Sequence, residues 1–205
     1  MTEALTIDSA PGVALEGELA RAASPRVGVV LCHPHPQYGG TMRSIVISAL
    51  FEALPPAGAT CVRFNFRGVE GSTGAYDEGR GEADDARAAL SVLRAVLSPG
   101  VPVVVIGWSF GADVALSLLD DEVDAWVAIA PPLRFAATNA VAGDPRPKLL
   151  LLGEHDEVRP PDEVVALAAA WTETEVHVVP GASHFFIGRT DQVVALTAAF
   201  LGRLS

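Results

Sequence analysis

Short apolar runs alternate along the chain with alanine-rich stretches, and this alternation limits the possible folds more than any other feature. Six runs have the length and the β-branched content of buried strands: Val27–Cys32, Thr60–Phe64, Val103–Ile106, Trp126–Ile129, Leu149–Leu152 and Val176–Val179. The stretches between and after them are predicted helices: Met42–Leu54, Glu82–Leu97, Ala112–Leu119, Glu163–Trp171 and Asp191–Leu204. Repeated strand-and-helix units predict a parallel sheet with right-handed crossovers.

Two further strands are predicted near the N-terminus, at Leu5–Asp8 and Val13–Leu19, on either side of a Pro11-Gly12 turn. Because the turn is so short, the two strands are expected to form an antiparallel edge. The predicted fold class is α/β, with three layers built on a mostly parallel sheet of eight strands. Half of the residues are hydrophobic, as expected when helices cover both faces of such a sheet. We expect a single domain over residues 1–205, because the sequence contains no internal repeat or interdomain linker.

Charge and hydropathy argue against several functions. The net charge of −11 opposes nucleic-acid binding, which depends on lysine and arginine side chains that neutralise phosphates. No apolar run approaches the roughly 18 residues of a membrane-spanning helix, so no membrane partner is expected. The start Met1-Thr2-Glu3 lacks the basic segment and the long apolar core of a signal peptide. We therefore expect a cytoplasmic protein in which Cys32 and Cys61 are buried free thiols.

The strongest functional signal is the pentapeptide Gly107-Trp108-Ser109-Phe110-Gly111. It follows a buried strand-like run and opens a predicted helix, and this context is typical of a nucleophile elbow. Such a turn holds its serine in a strained backbone conformation, and the two glycines remove side chains that would clash there. Ser109 is therefore the candidate nucleophile. The alternative is a serine that caps a helix after a glycine-rich turn.

A serine hydroxyl becomes a good nucleophile only when a neighbouring base accepts its proton. The chain order expected with such an elbow is serine, acid, histidine, which leaves His155, His177 and His184 as candidates. His177 belongs to a strand-like run. His184 follows that run through a predicted loop, Pro180-Gly181-Ala182-Ser183, at the strand end where parallel sheets place their active sites. We predict that His184 is the base.

The acid that orients the base is expected after the preceding strand, in the predicted loop Gly153–Pro160. Three carboxylates compete there: Glu154, Asp156 and Glu157. Asp156 is preferred, because it lies centrally in the loop and a short side chain holds an imidazole rigidly. Glu154 and Glu157 remain the alternatives and are otherwise expected to be solvated.

A tetrahedral intermediate also needs hydrogen-bond donors for its oxyanion. The backbone N–H of the residue after the nucleophile, Phe110, is one candidate, and the second donor comes from the loop after the third strand. Pro34 and Pro36 in that loop have no N–H. The second donor is therefore His35 or Gln37.

The His33-Pro34-His35 sequence is also a possible metal site. Two imidazoles are too few ligands on their own, and no nearby carboxylate or thiolate completes the set. We expect no metal, and no cofactor either, because acyl transfer through a serine needs none.

Three segments beside these residues carry a resemblance to a known family: His33–Met42, Phe64–Val69 and Tyr76–Asp85. Over nearly its whole length the chain resembles the lidless α/β-hydrolase family of small bacterial predicted serine hydrolases, close to its dienelactone-hydrolase-like branch. The resemblance implies the α/β-hydrolase fold, a Ser-Asp-His triad and esterase activity. It also implies that His35 is the second oxyanion donor, because His33-Pro34-His35 matches the His-Gly-x of related hydrolases.

Two features depart from the family pattern. Glu70 stands where glycine is expected, and dienelactone hydrolases proper have a cysteine at the elbow.

Nearby, Arg67 is expected to form a structural ion pair that ties loops together. Glu82, Asp84 and Asp85 are expected to lie in the first turn of a helix, where acids complement the helix dipole, and to have no chemical role.

The longest irregular stretch, Pro131–Pro147, is too short and too rich in proline for a cap domain, and at most one short helix fits around Phe135–Val141. The stretch is either a plain connection or a minimal flap over the site. The expected function is that of a serine carboxylesterase, which hydrolyses small-molecule esters of short acyl chains. The alternatives are a thioesterase or peptidase with the same triad, and a non-catalytic binding protein on the same scaffold. The pattern does not indicate the oligomeric state.

Overall fold

The computed structural model describes residues 2–135 and 138–204. In this part of the chain eight strands form one sheet: β1 (Thr2–Ala10), β2 (Val13–Ala20), β3 (Val27–Cys32), β4 (Ala59–Phe64), β5 (Val103–Trp108), β6 (Ala125–Ile129), β7 (Lys148–His155) and β8 (Thr174–Ser183). Their order across the sheet is β1-β2-β4-β3-β5-β6-β7-β8. Strands β3 to β8 pair in parallel, whereas β1 pairs antiparallel with β2, and β2 with β4. The predicted eight-stranded sheet with an antiparallel N-terminal edge is confirmed.

The described helices cover both faces of the sheet: α1 (Ile45–Ala53), α2 (Arg80–Val96), α3 (Phe110–Ser117), α4 (Thr138–Val141), α5 (Pro161–Ala168) and α6 (Thr190–Leu201). Side chains alternate along each strand, so that Val30 and Cys32 of β3 face α2 and α3, while Val29 and Leu31 face α1 and α6. Two apolar clusters result, one on each side of the sheet, and the predicted three layers are confirmed.

Strands β7 and β8 are longer than their apolar runs. The prediction of a loop at Pro180–Ser183 is wrong, because these residues continue β8, and the first three residues of the predicted loop Gly153–Pro160 continue β7. The two strands keep pairing beyond a register shift between Gly153 and His155, and His155 pairs with Ser183. Because β8 is an edge strand, its outer residues are polar and exposed, and apolar content does not mark its end. Asp156 and His184 therefore follow directly after two paired strand ends.

The connection from β6 to β7 contains the four-residue α4 and no cap domain. This agrees with the prediction of at most one short helix around Phe135–Val141, although residues 136 and 137 lie outside the described part of the chain. None of the described helices is both long and apolar enough to cross a membrane.

Both cysteines are free and buried, as predicted. Cys32 belongs to the apolar cluster on one face of the sheet and Cys61 to the cluster on the other face. Burial raises the pKa of each thiol above its ordinary value, so both side chains are neutral packing groups.

Candidate active site

Ser109 lies at the tip of the turn between β5 and α3. Its backbone has φ 55° and ψ −121°, a strained conformation that costs about 1–3 kcal/mol. Its N–H donates to the carbonyl of Ile129 at 2.8 Å, which ties the turn to the neighbouring strand. A Cβ on Gly107 would overlap the carbonyl of Gly111, and a Cβ on Gly111 would overlap the carbonyl of Cys32. The predicted strain at Ser109 and the predicted need for both glycines are therefore confirmed.

His184 follows the end of β8 and is almost fully buried, with 5% of its surface exposed. Its Nε2 lies 2.8 Å from Ser109 Oγ, and its Nδ1 lies 2.8 Å from Asp156 Oδ2. An ionised carboxylate only accepts hydrogen bonds, so Nδ1 carries the proton and Nε2 accepts from the serine hydroxyl. The structure thus joins the three side chains that the sequence predicts for the site by two consecutive hydrogen bonds.

Asp156 is held by the loop in which it lies. Its Oδ1 accepts the N–H groups of Val158 at 2.8 Å and Arg159 at 3.1 Å, which leaves Oδ2 for His184. The other two carboxylates of the segment are exposed and turned elsewhere. Glu154 accepts the N–H of Gly181 at 2.7 Å on the strand edge, and Glu157 has no hydrogen bond to the described residues.

The other two candidate bases, His155 and His177, contact neither Ser109 nor Asp156. His177 lies on β8 beside Glu175, and His155 lies beside Glu154 with 68% of its side chain exposed. Both are surface residues, as expected for His155 and for a sheet residue at His177.

Trp108 has a role that the sequence did not indicate. Its indole N–H donates to the backbone carbonyl of His184 at 3.1 Å, and both groups are buried. The residue before the nucleophile therefore fixes the backbone of the histidine. The sequence indicates no more for Trp108 than packing or a place in the pocket wall, and Trp108 does line the cavity. The hydrogen bond leaves no local signal, because it spans 76 positions of the chain.

The two candidate oxyanion donors are free. Within the described residues, the backbone N–H groups of Phe110 and His35 have no acceptor in the protein. The N–H of Gln37, the other possible donor, is committed to His35 Nδ1 at 3.2 Å. A Cβ on Gly40 would overlap the carbonyl of Pro34, so the loop turns back tightly on itself beside the elbow.

His33 holds this loop to the next one. Its Nε2 accepts the N–H of Phe66 at 3.0 Å, and its Nδ1–H donates to the carbonyl of Pro34 at 2.6 Å. Burial lowers the pKa of His33 to about 4, so the ring is neutral at pH 7. Both ring nitrogens of His33 and of His35 have partners within the protein, and nowhere in the described residues do three His, Cys, Asp or Glu side chains gather as metal ligands would.

Asn65 and Glu70 anchor the far end of the same loop. Asn65 Oδ1 accepts the N–H of Met42, and its amide group donates to Glu16 and Glu70, each at 2.8 Å. Glu70 has a φ of 46°, a conformation that favours glycine, which is the residue expected at this position from the resemblance. The carboxylate of Glu70 also binds Arg43 at 3.1 Å, so side-chain contacts offset the strain.

The expected ion pair of Arg67 is confirmed, and it shows that the role expected for Asp85 is wrong. Arg67 binds the buried carboxylate of Asp85 at 2.7 Å, so Asp85 balances a guanidinium rather than the helix dipole. Glu82 is also buried, and it accepts the N–H groups of Asp77 and Gly79 just before α2. The helix begins at Arg80, two residues earlier than predicted, so Glu82 lies in its first turn and caps it. The expectation that Asp84 and Asp85 also lie in the first turn is wrong.

A cavity of about 800 Å³ opens over Ser109 and His184, within the usual range for small-molecule sites. Its walls are largely aromatic: Tyr38, Tyr76, Phe110, Phe135 and Phe185. Phe110 contacts Phe135 edge to face, with ring centroids 5.6 Å apart. The described residues after β6 thus form part of the cavity wall and are more than a plain connection.

The comparison with known families agrees with this geometry. A family model described as the alpha/beta hydrolase fold matches residues 29–146, which is more than half of the chain. The chain belongs to the α/β-hydrolase family. This hydrolase is 34% identical over 190 residues to the uncharacterized protein RP471 of Rickettsia prowazekii, an alignment that covers 87% of this chain and 80% of that protein.

Two solved structures resemble the hydrolase closely. One is an alpha-beta serine hydrolase homologue from Coxiella burnetii, with 35% identity, a TM-score of 0.89 and 97% of each chain covered. The other is XC6422 from Xanthomonas campestris, a serine hydrolase without a lid, with 30% identity and a TM-score of 0.89 over 99% of this chain and 94% of that chain. The predicted family and the absence of a cap domain are confirmed.

Proposed function

We propose that this α/β hydrolase is a serine carboxylesterase that cleaves short-chain acyl esters of small molecules. The observation that carries the proposal is the unbroken line of hydrogen bonds from Asp156 through His184 to Ser109. A base in this position raises the nucleophilicity of the hydroxyl, and the carboxylate holds the base in the required tautomer.

In the first half of the proposed reaction, Ser109 Oγ attacks the ester carbonyl carbon while its proton passes to His184 Nε2. Asp156 stabilises the imidazolium that results. The carbonyl oxygen becomes an oxyanion, and the free N–H groups of Phe110 and His35 are the proposed donors to it. When the tetrahedral intermediate collapses, the C–O bond breaks and the imidazolium gives its proton to the departing alcohol.

In the second half, water replaces the alcohol. His184 Nε2 takes a proton from the water as its oxygen attacks the acyl-enzyme carbonyl, and the same donors stabilise the second oxyanion. Collapse releases the carboxylic acid and returns the proton to Ser109 Oγ. The cycle needs only groups of this chain and water.

Short acyl chains are favoured by the shape of the site. The connection after β6 adds one short helix and no cap, so long acyl chains have no enclosed tunnel built by a separate domain. Each buried methylene contributes about 0.8 kcal/mol, and methylenes beyond the cavity contribute nothing. The serine hydrolase homologues described above support the general reaction class.

The proposal is tested with a panel of p-nitrophenyl esters and acyl thioesters of increasing acyl length, assayed with the wild-type chain and with Ser109→Ala. We expect turnover of acetyl and butyryl esters that Ser109→Ala abolishes without a change in the circular dichroism spectrum. A kcat/KM that is higher for thioesters than for oxygen esters of the same acyl group would move the assignment to a thioesterase. No turnover of any ester, thioester or peptide substrate would favour a binding protein.

A further inference from the structure

Arg134 differs from every other arginine that the structure describes. The guanidinium of each of the others binds either a carboxylate or a backbone carbonyl. The guanidinium of Arg134 has none among the described residues, although the chain contains 25 acidic residues and only 14 basic ones. In a chain with such an excess of acidic side chains, a guanidinium without a hydrogen-bonded partner requires an explanation.

The position of Arg134 provides one, because it lines the cavity over Ser109 and is exposed to it. Asp113 is the one carboxylate among the described residues of the cavity wall, and its charge attracts that of Arg134, but the two side chains form no ion pair. Asp113 is 1% exposed, and its two oxygens accept the backbone N–H groups of Leu133 at 2.8 Å and of Arg134 at 2.9 Å. These two hydrogen bonds, together with the positive φ of Leu133, hold the segment that carries Arg134 against the cavity, and they use its backbone and not its side chain.

A second donor faces the same space. His35 Nδ1 accepts the N–H of Gln37, so the neutral ring carries its proton on Nε2, which lies 3.3 Å from the hydroxyl oxygen of Tyr76. Tyr76 therefore accepts from His35, and its own hydroxyl proton is left for a ligand in the cavity that it lines. Outside the proposed triad, the polar side chains of the wall thus offer donors and a positive charge, while the one carboxylate, Asp113, is buried and accepts two backbone N–H groups.

We propose that Arg134 binds a negatively charged group of the substrate, so that this esterase acts on esters that carry an anion, such as a carboxylate, in addition to the ester bond. The inference rests on the proposed function. The aromatic wall suits the planar or apolar body of such a substrate, and the guanidinium gives a planar, two-pronged fit to a carboxylate. The anion belongs either to the alcohol part or to the acyl part, and the two cases are separated by the choice of probe.

Two matched pairs of esters test the proposal. In the first pair, 4-acetoxybenzoate and its methyl ester, the anion is in the leaving group and both compounds form the same acetyl-enzyme. In the second pair, monophenyl adipate and phenyl hexanoate, the anion is in the acyl group. We expect kcat/KM for the anionic member of one pair to fall about tenfold in Arg134→Gln, as for the loss of one charge-assisted hydrogen bond. Its neutral partner is expected to change less than twofold.

Arg21→Gln is the control, because it removes the same charge at an exposed site outside the cavity. It is expected to leave both members of each pair unchanged. Raising the salt concentration should weaken the preference for the anionic ester in wild type and have no such effect in Arg134→Gln, which a structural role of the arginine would not produce. Equal losses on anionic and neutral esters, or no loss on either, would overturn the proposal.

A binding measurement separates this inference from the proposed function. Calorimetry of 4-acetoxybenzoate and of adipate with Ser109→Ala, with and without Arg134→Gln, needs no turnover. If no ester is hydrolysed but binding of one anion still requires Arg134, the esterase proposal fails and the anion site stands. If esters are hydrolysed but neither anion binds through Arg134, the anion site fails and the esterase proposal stands.

Discussion

The substitution Asp156→Asn changes one atom of the candidate active site and has a consequence that follows from the hydrogen bonds. Asp156 Oδ1 accepts two backbone N–H groups, from Val158 and Arg159. In the asparagine variant the carbonyl oxygen must take this position, since the amide NH₂ would otherwise oppose two donors. The NH₂ group then faces His184 Nδ1, which has to become an acceptor, and the ring proton moves to Nε2.

In that tautomer His184 Nε2 points an N–H at Ser109 Oγ, where an acceptor is needed. The serine keeps its proton, and the reaction loses its general base while the geometry stays intact. The equivalent change in the chymotrypsin triad lowers kcat by about 10⁴, which corresponds to about 5.4 kcal/mol. We expect a loss of this order here, because the 2.8 Å contacts on both sides of the imidazole leave no room for another arrangement.

The assay is kcat on p-nitrophenyl acetate between pH 6 and pH 9, with Glu154→Gln and Glu157→Gln as matched controls from the same segment. Both controls are expected to stay within about threefold of wild type, since exposed substitutions away from the site have small effects. Thermal unfolding checks that each variant is folded. An Asp156→Asn enzyme that keeps a tenth of its activity, or an equal loss in Glu157→Gln, would show that Asp156 does not orient the base.

Three further predictions follow from the site. Trp108→Phe removes the donor to the His184 carbonyl and should lower kcat on the order of tenfold, with KM unchanged, since an unpaired buried acceptor costs about 1–3 kcal/mol; a loss in KM alone would contradict a role in placing the histidine. Burial holds the pKa of His33 at about 4 in the folded chain, against 6.5 for the ordinary value, so the unfolded chain takes up this proton first as the pH falls. The free energy of unfolding should therefore decrease between about pH 6.5 and pH 4, by up to about 3 kcal/mol, and urea titrations of wild type and His33→Gln should diverge over that range; parallel profiles would show that His33 is not the source. Acetyl and butyryl esters should have a higher kcat/KM than octanoyl and palmitoyl esters, with no activation at a lipid interface, and a maximum at the longest chains would reveal an acyl tunnel.

The fold was predictable because the period of the apolar residues changes from strand to helix and because glycine and proline mark the turns. The ends of β7 and β8 were not predictable. Their last residues are polar, and they are strands only because each has a partner across the register shift between Gly153 and His155. The choice among three neighbouring carboxylates depends on where this pairing stops, so the sequence favoured Asp156 only on side-chain length and position.

The candidate nucleophile and the candidate base were predictable from local patterns, namely a serine between glycines after a strand and a histidine at a strand end. The contacts that hold them were not, because they join distant parts of the chain. The bonds from Trp108 to His184 and from Asn65 to Met42 span 76 and 23 positions. A lone acid in the apolar helix Phe110–Ser117 was a usable signal for Asp113, since such an acid is costly to bury without partners.

Nothing in the sequence indicates that the Arg134 guanidinium has no hydrogen-bond or ion-pair partner among the described residues. An arginine in an irregular stretch resembles any solvated residue, and only the ion pairs and hydrogen bonds of the other described arginines show that Arg134 differs from them. Charge balance within a cavity is a tertiary property, which the local sequence does not indicate.

Covalent labelling of the hydrolase by a fluorophosphonate tests most directly whether Ser109 is an activated nucleophile. An activated serine displaces fluoride from phosphorus, and peptide mass spectrometry locates the adduct. We expect a single modified residue, Ser109, with labelling lost in Ser109→Ala and slowed strongly in Asp156→Asn. Labelling that persists at the same rate in a folded Ser109→Ala variant, or a wild-type chain that does not react, would contradict this expectation.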